Sequence, residues 1–481
     1  MSLPPNIALT APELIIGLSA LLLLVTAVFR GDRSLAAVSW SSVVVLLGAG
    51  PAMLGQPERA FAYGGLFAAD RFAQFLKVTI YASAAVSIIL AVPALRRTAQ
   101  GRFEYPILIL LSVLGMSLMA SAADLLTLYI GLELQSLALY VLAAFQRSDT
   151  RSSEAGLKYF LLGALSSGIM LFGISLVYGF AGTTQFAAVH TALGGHALAL
   201  GALVGLVFTM VGLAFKVSAV PFHMWTPDVY EGAPTPVVAF FAAVPKVAAM
   251  GLFTRLLLEA FGGAQDRWQA IVAFMSVGSM FLGAVGAIGQ TSFKRLMAYS
   301  SINNVGFALI GLAVGGAAGA ASVLFYMAIY VVMTIGAFLA ILDLRDPDGR
   351  QIEDIASLAG LNARHPGLAA ALAFIMFSLA GIPPLLGFFP KLAVFRAAMD
   401  AGLYPLAILG VVASVVGAYY YLRIVKTMYF DEPRTAFGPR LSTVNGALLL
   451  ASTAALSPLG WLALSPLFAA AQVAAGTLFP R

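Results

Sequence analysis

Apolar segments of membrane-spanning length follow one another along almost the whole chain. A helix needs about 20 apolar residues to cross the hydrocarbon core of a bilayer, which is about 30 Å thick. Because an open sheet or loop would leave backbone groups unpaired in lipid, the segments favour helices. We therefore predict an all-α polytopic membrane protein with about 14 transmembrane helices: 12–29, 35–54, 70–93, 105–122, 124–146, 154–180, 197–232, 235–260, 268–289, 294–314, 319–342, 367–401, 403–430 and 442–464.

The composition excludes several other classes of protein. Of 481 residues, 60% are hydrophobic and only 10% are charged, whereas a soluble protein carries roughly 25% charged residues. The absence of cysteine excludes disulfides, c-type haem and cysteine-ligated iron–sulfur clusters within the chain. The basic residues are spread over short loops and do not form a patch, so we expect no nucleic-acid partner.

The distribution of arginine and lysine predicts the orientation. Loops after odd-numbered spans carry most of the basic residues, for example Arg96 and Arg97 after span three and Arg147 and Arg151 after span five. The positive-inside rule makes these loops cytoplasmic and both termini periplasmic, in a bacterial inner membrane. The apolar run of the first span, from Leu14 to Phe29, has acidic Glu13 before it and Arg30 after it. A signal peptide would have a basic flank first and a small-residue cleavage site after, so the run is interpreted as a spanning helix.

Two of the spans, seven (197–232) and twelve (367–401), are too long for a single crossing. Each contains prolines near its middle, which remove backbone donors and break a helix: Pro221 and Pro227 in the first, Pro383, Pro384 and Pro390 in the second. Because the two spans are an odd number of crossings apart, the units around them run in opposite directions, which predicts inverted five-helix repeats. The expected regions are helices 1–3 (1–104), the first repeat (105–260), the second repeat (268–430), and helix 14 with an apolar tail that lies at the interface or packs on the bundle (431–481).

Four charged side chains lie deep inside predicted spans: Glu133, Lys216, Lys246 and Lys391. A lysine at a helix centre costs about 2.5–3.5 kcal/mol, and such residues commonly mark ion or proton paths. At 1.5 Å per residue, Glu133 is about 14 Å and Lys246 about 17 Å into its span, close to the midplane. Lys216 and Lys391 each belong to a broken span and are interpreted as counterparts. A structural ion pair is the alternative for Glu133, whereas Lys246 lies too deep to reach the interface by snorkelling.

Two further residues could take part in proton movement. Lys158 lies near the cytoplasmic end of span six, where it either admits protons or extends to the interface. His223 lies in the break of span seven, and histidine exchanges protons near neutral pH; the alternative is that it caps a half-helix. Lys77 is interpreted as structural, and Arg255 with Glu259 as interface anchors.

The stretch between Lys216 and Lys246 resembles one membrane-protein family. The sequence PFHMWTPDVYEGAPTP, the second motif GIPPLLGFFPK and Glu133 in span five are similar to the antiporter-like subunits of respiratory complex I, and the similarity covers essentially the whole chain. The end of the chain shortly after span fourteen and the lysine at position 391 favour the N type over the L and M types.

This resemblance implies a function. The chain would be a proton-translocating membrane subunit of an NADH–quinone oxidoreductase, a translocase that couples quinone reduction to proton pumping. Glu133 would pair with Lys216, Lys246 would be the central relay, and Lys391 would lie nearest the outer exit. No redox cofactor is expected in this chain: NADH, FMN, iron–sulfur clusters and quinone would bind other subunits. The partners would be lipids and the other membrane-arm subunits, which include further antiporter-like subunits and small ones.

Two other functions are compatible with such a chain. A subunit of a multi-subunit cation/proton antiporter would share the same arrangement of spans. A sodium path should add carboxylate or carbonyl ligands, whereas the predicted midplane carries lysines and one glutamate. A scaffold without transport activity would not need lysines at the midplane.

Overall fold

The computed structural model describes residues 4–97, 101–194, 199–434, 436–439 and 442–479, and its fold is a helical bundle. The first two residues of predicted span seven lie outside these ranges. The first helices are α1 Pro5–Leu9, α2 Ala11–Arg30, α3 Leu35–Ala49, α4 Arg71–Arg97, α5 Glu104–Ser121, α6 Leu125–Ala143, α7 Thr150–Ala181, α8 Phe186–Leu193, α9 Leu200–Val217 and α10 Trp225–Gly232. They are followed by α11 Thr235–Arg255, α12 Gln265–Ile288, α13 Phe293–Val314, α14 Gly316–Asp343, α15 Leu361–Arg364, α16 Pro366–Ala380, α17 Phe388–Asp400, α18 Tyr404–Phe430, α19 Thr443–Leu456 and α20 Trp461–Gly476.

Twelve helical segments within the described residues are long and apolar enough to cross a membrane, which confirms a polytopic helical membrane protein. The difference from the predicted fourteen has identifiable reasons. A 3₁₀ turn at Gly31–Ser34 joins α2 and α3 into one continuous segment, and α16 and α19 are short, with 15 and 14 residues. The segment Pro458–Gly476, which was not predicted as a span, adds one.

The end of predicted span fourteen is displaced in the structure. Helix α19 stops at Leu456, before Pro458, instead of continuing to residue 464. The chain then forms a second long helix, α20, where the sequence predicted only a short apolar tail. Phe468 of α20 packs edge-on against Phe325 of α14 at 5.1 Å between ring centroids, so this part of the tail packs on the bundle.

Both long spans are broken where the prolines predicted. Helix α9 ends at Val217 and α10 begins at Trp225, while α16 ends at Ala380 and α17 begins at Phe388. The residue after each first half, Ser218 or Gly381, adopts a left-handed backbone conformation, which ends a helix by turning the chain away from its axis. The two breaks therefore end their first half-helices in the same way.

A short hairpin that the sequence did not predict organises one end of the bundle. Strand β1, Arg59–Ala62, pairs antiparallel with β2, Phe67–Asp70, and the register places Arg59 opposite Asp70. Asp70 binds Arg255 of α11 through both carboxylate oxygens, at 2.7 and 2.8 Å. Glu259 binds Arg255 at 3.3 Å and Arg59 at 3.1 Å. Arg255 is fully buried, so the interpretation of Arg255 and Glu259 as interface anchors was wrong: they belong to a buried ion cluster.

A second buried ion pair joins the first helices. Lys77 of α4 binds Glu13 at 2.6 Å, and both side chains are buried. Glu13 is therefore part of helix α2 and not a solvated flank of the first span, while Lys77 has the structural environment that was predicted. Together, Asp70 and Lys77 attach the beginning of α4 to α11 and to α2.

The buried cluster around Arg255 yields the first prediction. Asp70→Asn removes one partner and leaves the guanidinium only partly compensated, and breaking a buried ion pair costs roughly 3–5 kcal/mol. We expect a marked fall in the thermal unfolding temperature of the detergent-solubilised protein. The matched control is Asp400→Asn, because Asp400 forms an exposed pair with Arg396 at 3.8 Å and such pairs contribute about 0–1 kcal/mol. Equal unfolding temperatures for the two variants would contradict the role of the cluster.

Candidate functional site

Lys216 lies in the last turn of α9 and is buried. Its Nζ donates a hydrogen bond to the hydroxyl of Tyr140 on α6, at 3.1 Å, and lies 5.2 Å from the centroid of the same ring. An ammonium near an aromatic ring is attracted to the negative face of the π system. Tyr140 therefore provides two favourable contacts for the one charge.

Glu133 lies on the same helix as Tyr140, seven residues earlier, and hence two turns away on the same face. The Oε1 atom of Glu133 is buried and has no hydrogen-bond partner among the described residues. The ion pairs within 4.0 Å in the described part of the chain do not include Glu133 with Lys216. The direct Glu133–Lys216 pair that the resemblance implied is thus not formed in this structure, in which the amine is bonded to Tyr140.

Lys246 lies in the middle of α11, directly after Pro245, and is almost completely buried. Its Nζ donates to the carbonyl oxygen of Val217 at 3.0 Å and to the hydroxyl of Ser218 at 2.8 Å. These are the last residue of α9 and the residue that ends it. Helix C-termini carry partial negative charge and unpaired carbonyls, which favour a cation. The break in span seven is therefore the binding site of this lysine.

Lys391 occupies the equivalent place at the second break. It lies in the first turn of α17, and its Nζ donates to the carbonyl oxygen of Ala380, the last residue of α16, at 2.9 Å. A second bond goes to the hydroxyl of Ser414 on α18, at 3.1 Å. By its contacts Lys391 corresponds to Lys246, which binds the last carbonyl of the other first half-helix, and not to Lys216 as the sequence positions suggested.

Hydroxyl and amide groups occupy the helices between Lys246 and Lys391. Tyr330 of α14 donates to the carbonyl of Ala242, one turn before Lys246, and pairs with Ser301 of α13 at 2.8 Å. Ser300 and Asn304, also on α13, bind Tyr421 of α18 at 2.5 and 3.3 Å. Ser414, the partner of Lys391, lies on α18 two turns before Tyr421. Polar groups thus extend from the helix that carries Lys246 to the helix that contacts Lys391.

Lys158 is placed apart from the other lysines. Its half-exposed side chain binds Glu154 at 2.7 Å and Asp228 at 2.9 Å, and Asp228 also binds Arg295 at 2.8 Å. Lys158 is therefore part of a charged network at the rim of the bundle.

His223 lies in the seven-residue break between α9 and α10, half-buried, and its Nδ1 atom has no hydrogen-bond partner among the described residues. The backbone N–H of Thr226 donates to the carbonyl oxygen of His223. The Thr226 hydroxyl donates to the Ser218 hydroxyl at 2.7 Å. His223 is therefore linked through Thr226 to Ser218, which binds Lys246.

Sequence reasoning missed the hydroxyl partners of the three lysines, Tyr140, Ser218 and Ser414. Single serines and tyrosines in apolar helices also serve helix packing, and nothing in their spacing distinguishes them. Among the residues that the structure describes, no three His, Cys, Asp or Glu side chains form a group that could hold a metal ion.

Comparisons with known proteins agree over the whole chain. The family model described as "NADH:quinone oxidoreductase/Mrp antiporter, TM" matches residues 122–417. A protein of Rhizorhabdus wittichii named NADH-quinone oxidoreductase subunit N is 57% identical, with 100% of each chain covered. A chain of respiratory complex I from Thermus thermophilus superposes with a TM-score of 0.80 and 32% identity, covering 95% of this chain and 98% of that one. A chain of the Mrp complex from Dietzia sp. has a TM-score of 0.84 at 24% identity, covering 98% and 97%, and shares the fold.

The second break yields a prediction about Gly381. A Cβ at this position, where φ is +82°, would lie 2.9 Å from Cδ of Lys391. Gly381→Ala should therefore combine the strain of a left-handed alanine, about 1–2 kcal/mol, with about 1–3 kcal/mol of overpacking. Gly402→Ala is the matched control, because φ is +75° there and no atom lies within 4 Å. We expect the lower thermal unfolding temperature for Gly381→Ala, and a cryo-EM structure should show Lys391 displaced; equal temperatures with Lys391 in place would contradict the close packing.

Proposed function

Because the chain belongs to the NADH:quinone oxidoreductase/Mrp antiporter transmembrane family, we propose that it is the proton-translocating N-type membrane subunit of an NADH–quinone oxidoreductase. It takes part in a translocase reaction that couples quinone reduction to proton pumping. NADH, FMN, iron–sulfur clusters and quinone bind other subunits of the complex. Its partners are the other membrane-arm subunits and the surrounding lipids.

One observation carries the proposal: each of the three buried lysines near the helix breaks has a hydroxyl partner. Lys216 binds Tyr140, Lys246 binds Ser218, and Lys391 binds Ser414. A hydroxyl both donates and accepts hydrogen bonds, so it can bind a charged ammonium or a neutral amine. Such a partner supports a lysine that alternates between the two states, whereas a carboxylate favours the ammonium.

The proposed roles follow the order of these contacts. Lys216 senses the charge of Glu133, Lys246 is the central relay, and Lys391 is the last lysine before the outer exit. The hydroxyl and amide groups on α13, α14 and α18 lie between the second and third of these. Lys158 and His223 have supporting roles: Lys158 at the charged rim where protons enter, and His223 in the break beside the Lys246 site.

The matched breaks support the proposed architecture of 14 transmembrane helices with two inverted five-helix repeats. Each first half-helix ends in a left-handed residue, and each of the two carbonyls at Val217 and Ala380 accepts from a lysine. In this arrangement the protein is a multi-pass protein of the bacterial inner membrane, with both termini on the periplasmic side.

The alternative is a subunit of a multi-subunit cation/proton antiporter, favoured by the structural similarity to the Mrp complex. Transport of sodium would require several oxygen ligands around the ion. Nζ of Lys246 contacts one carbonyl, one hydroxyl and an aromatic ring, which suit an amine better than a metal ion. Proton transport is therefore the function that the site supports best.

Lys246→Met tests the central relay. We expect the assembled complex in proteoliposomes to pump protons at least about tenfold more slowly, since a proton-transfer group commonly contributes 10²–10⁴-fold. NADH oxidation by ferricyanide, which needs only the redox subunits, should stay unchanged and would show that those subunits are intact, and mass spectrometry of the purified complex should show the variant chain bound to them.

Lys426→Met is the control, because Lys426 forms an exposed pair with Asp431 away from the breaks. Wild-type pumping by Lys246→Met would rule out the relay. Transport that requires sodium and continues without NADH would favour the antiporter.

A further inference from the structure

The Tyr140 side chain that binds Lys216 is closely packed on several sides. A Cβ on Gly163 of α7 would lie 2.0 Å from the Tyr140 hydroxyl, so the glycine provides the space for that oxygen. The rings of Tyr159 and Phe160 pack edge-on against Tyr140, at 4.9 and 5.7 Å between centroids. The tyrosine is therefore held firmly, and its hydroxyl is a fixed point to which the flexible lysine side chain comes.

Helix α6 offers a second partner for the same lysine. Glu133 lies on the face of α6 that carries Tyr140, and its buried Oε1 has no partner among the described residues. An isolated carboxylate oxygen in this environment is costly unless a cation or a donor reaches it. One flexible cation thus has two acceptors on one helix, of which the hydroxyl is occupied in this structure.

From this arrangement we infer that Tyr140 is a positioning residue that holds Lys216 away from Glu133, so that Lys216 exchanges between a hydroxyl and a carboxylate on α6. The inference rests on the proposed function of Lys216. It assigns a role to Tyr140, which would act on proton transfer only through the lysine. The hydroxyl accepts from an ammonium and donates to a neutral amine, whereas Glu133 attracts the ammonium alone. Bonding to Tyr140 thereby lets Lys216 leave the carboxylate without losing its hydrogen bond.

Tyr140→Phe in the complete complex tests the inference, because it keeps the ring and removes the oxygen. A cryo-EM structure of this variant should show Nζ of Lys216 within ion-pair distance of the Glu133 carboxylate. The rate of proton pumping should fall by about tenfold or more, which is the order expected for the loss of one hydrogen bond to a charged group. A merely structural role for Tyr140 would not move Lys216 toward Glu133.

Tyr105→Phe is the matched control for this variant. Tyr105 is a buried tyrosine on the neighbouring helix α5, and its hydroxyl donates to the carbonyl of Pro236 at 3.4 Å. Its loss should leave Lys216 in place and pumping unchanged.

A second pair of variants, one with its control, tests the position of the Tyr140 hydroxyl while the oxygen is kept. Gly163→Ala should push the Tyr140 oxygen away and release Lys216 in the same way. Gly168→Ala on the same helix meets no atom within 4 Å and should do neither.

The outcomes separate the inference from the proposed function. If Tyr140→Phe leaves Lys216 in place and pumping intact while Lys216→Met stops pumping, the positioning role is refuted and the proton role of Lys216 stands. If neither variant changes pumping, both are refuted.

Discussion

The binding of a buried lysine to the open end of a half-helix is the interaction on which the centre of this bundle depends. The last carbonyls of a helix have no partner within the helix, and in a membrane no bulk water can provide one. A buried ammonium without acceptors is more costly still. At Val217 and at Ala380 one hydrogen bond satisfies both groups, because the lysine donates to the carbonyl that the break leaves unpaired. This explains why proline-broken helices and buried lysines occur together in the chain.

Five of the buried cations fall into two groups that differ in their partners. Arg255 and Lys77 bind carboxylates at 2.7 and 2.6 Å, and such pairs fix both the charge and the position of the helices that carry them. The three lysines at the breaks bind carbonyl or hydroxyl oxygens instead. A neutral oxygen does not oppose the loss of charge as strongly as a carboxylate does. The first group therefore suits a structural role and the second a lysine whose charge changes.

Much of this could be predicted from the sequence, because apolar length and proline position act locally. The spans and both breaks follow from 20-residue hydrophobic segments and from Pro221 and Pro384. What could not be predicted depends on contacts between distant residues. The hairpin at Arg59–Asp70 is held by the pairs of Arg59 with Glu259 and of Asp70 with Arg255. These residues are distant in sequence, so no local pattern predicts the hairpin. Tyr140 is one of two tyrosines in the apolar helix α6, and the sequence does not show that its hydroxyl lies beside Gly163 and Lys216.

The two sites at the first break are joined through the backbone. Lys216 directly precedes Val217, whose carbonyl binds Lys246, and Ser218 follows with the hydroxyl that binds the same amine. A displacement of Lys216 between Tyr140 and Glu133 acts on the last turn of α9, and this turn contains two of the acceptors of Lys246. A change in the charge of one lysine also acts on the other across a poorly screened interior. In the proposed mechanism, the chain from Lys216 to Ser218 and the repulsion between the two ammonium groups would therefore couple Lys216 on α9 to Lys246 on α11. An unbroken helix would pair the Val217 carbonyl within itself and would not offer it to Lys246.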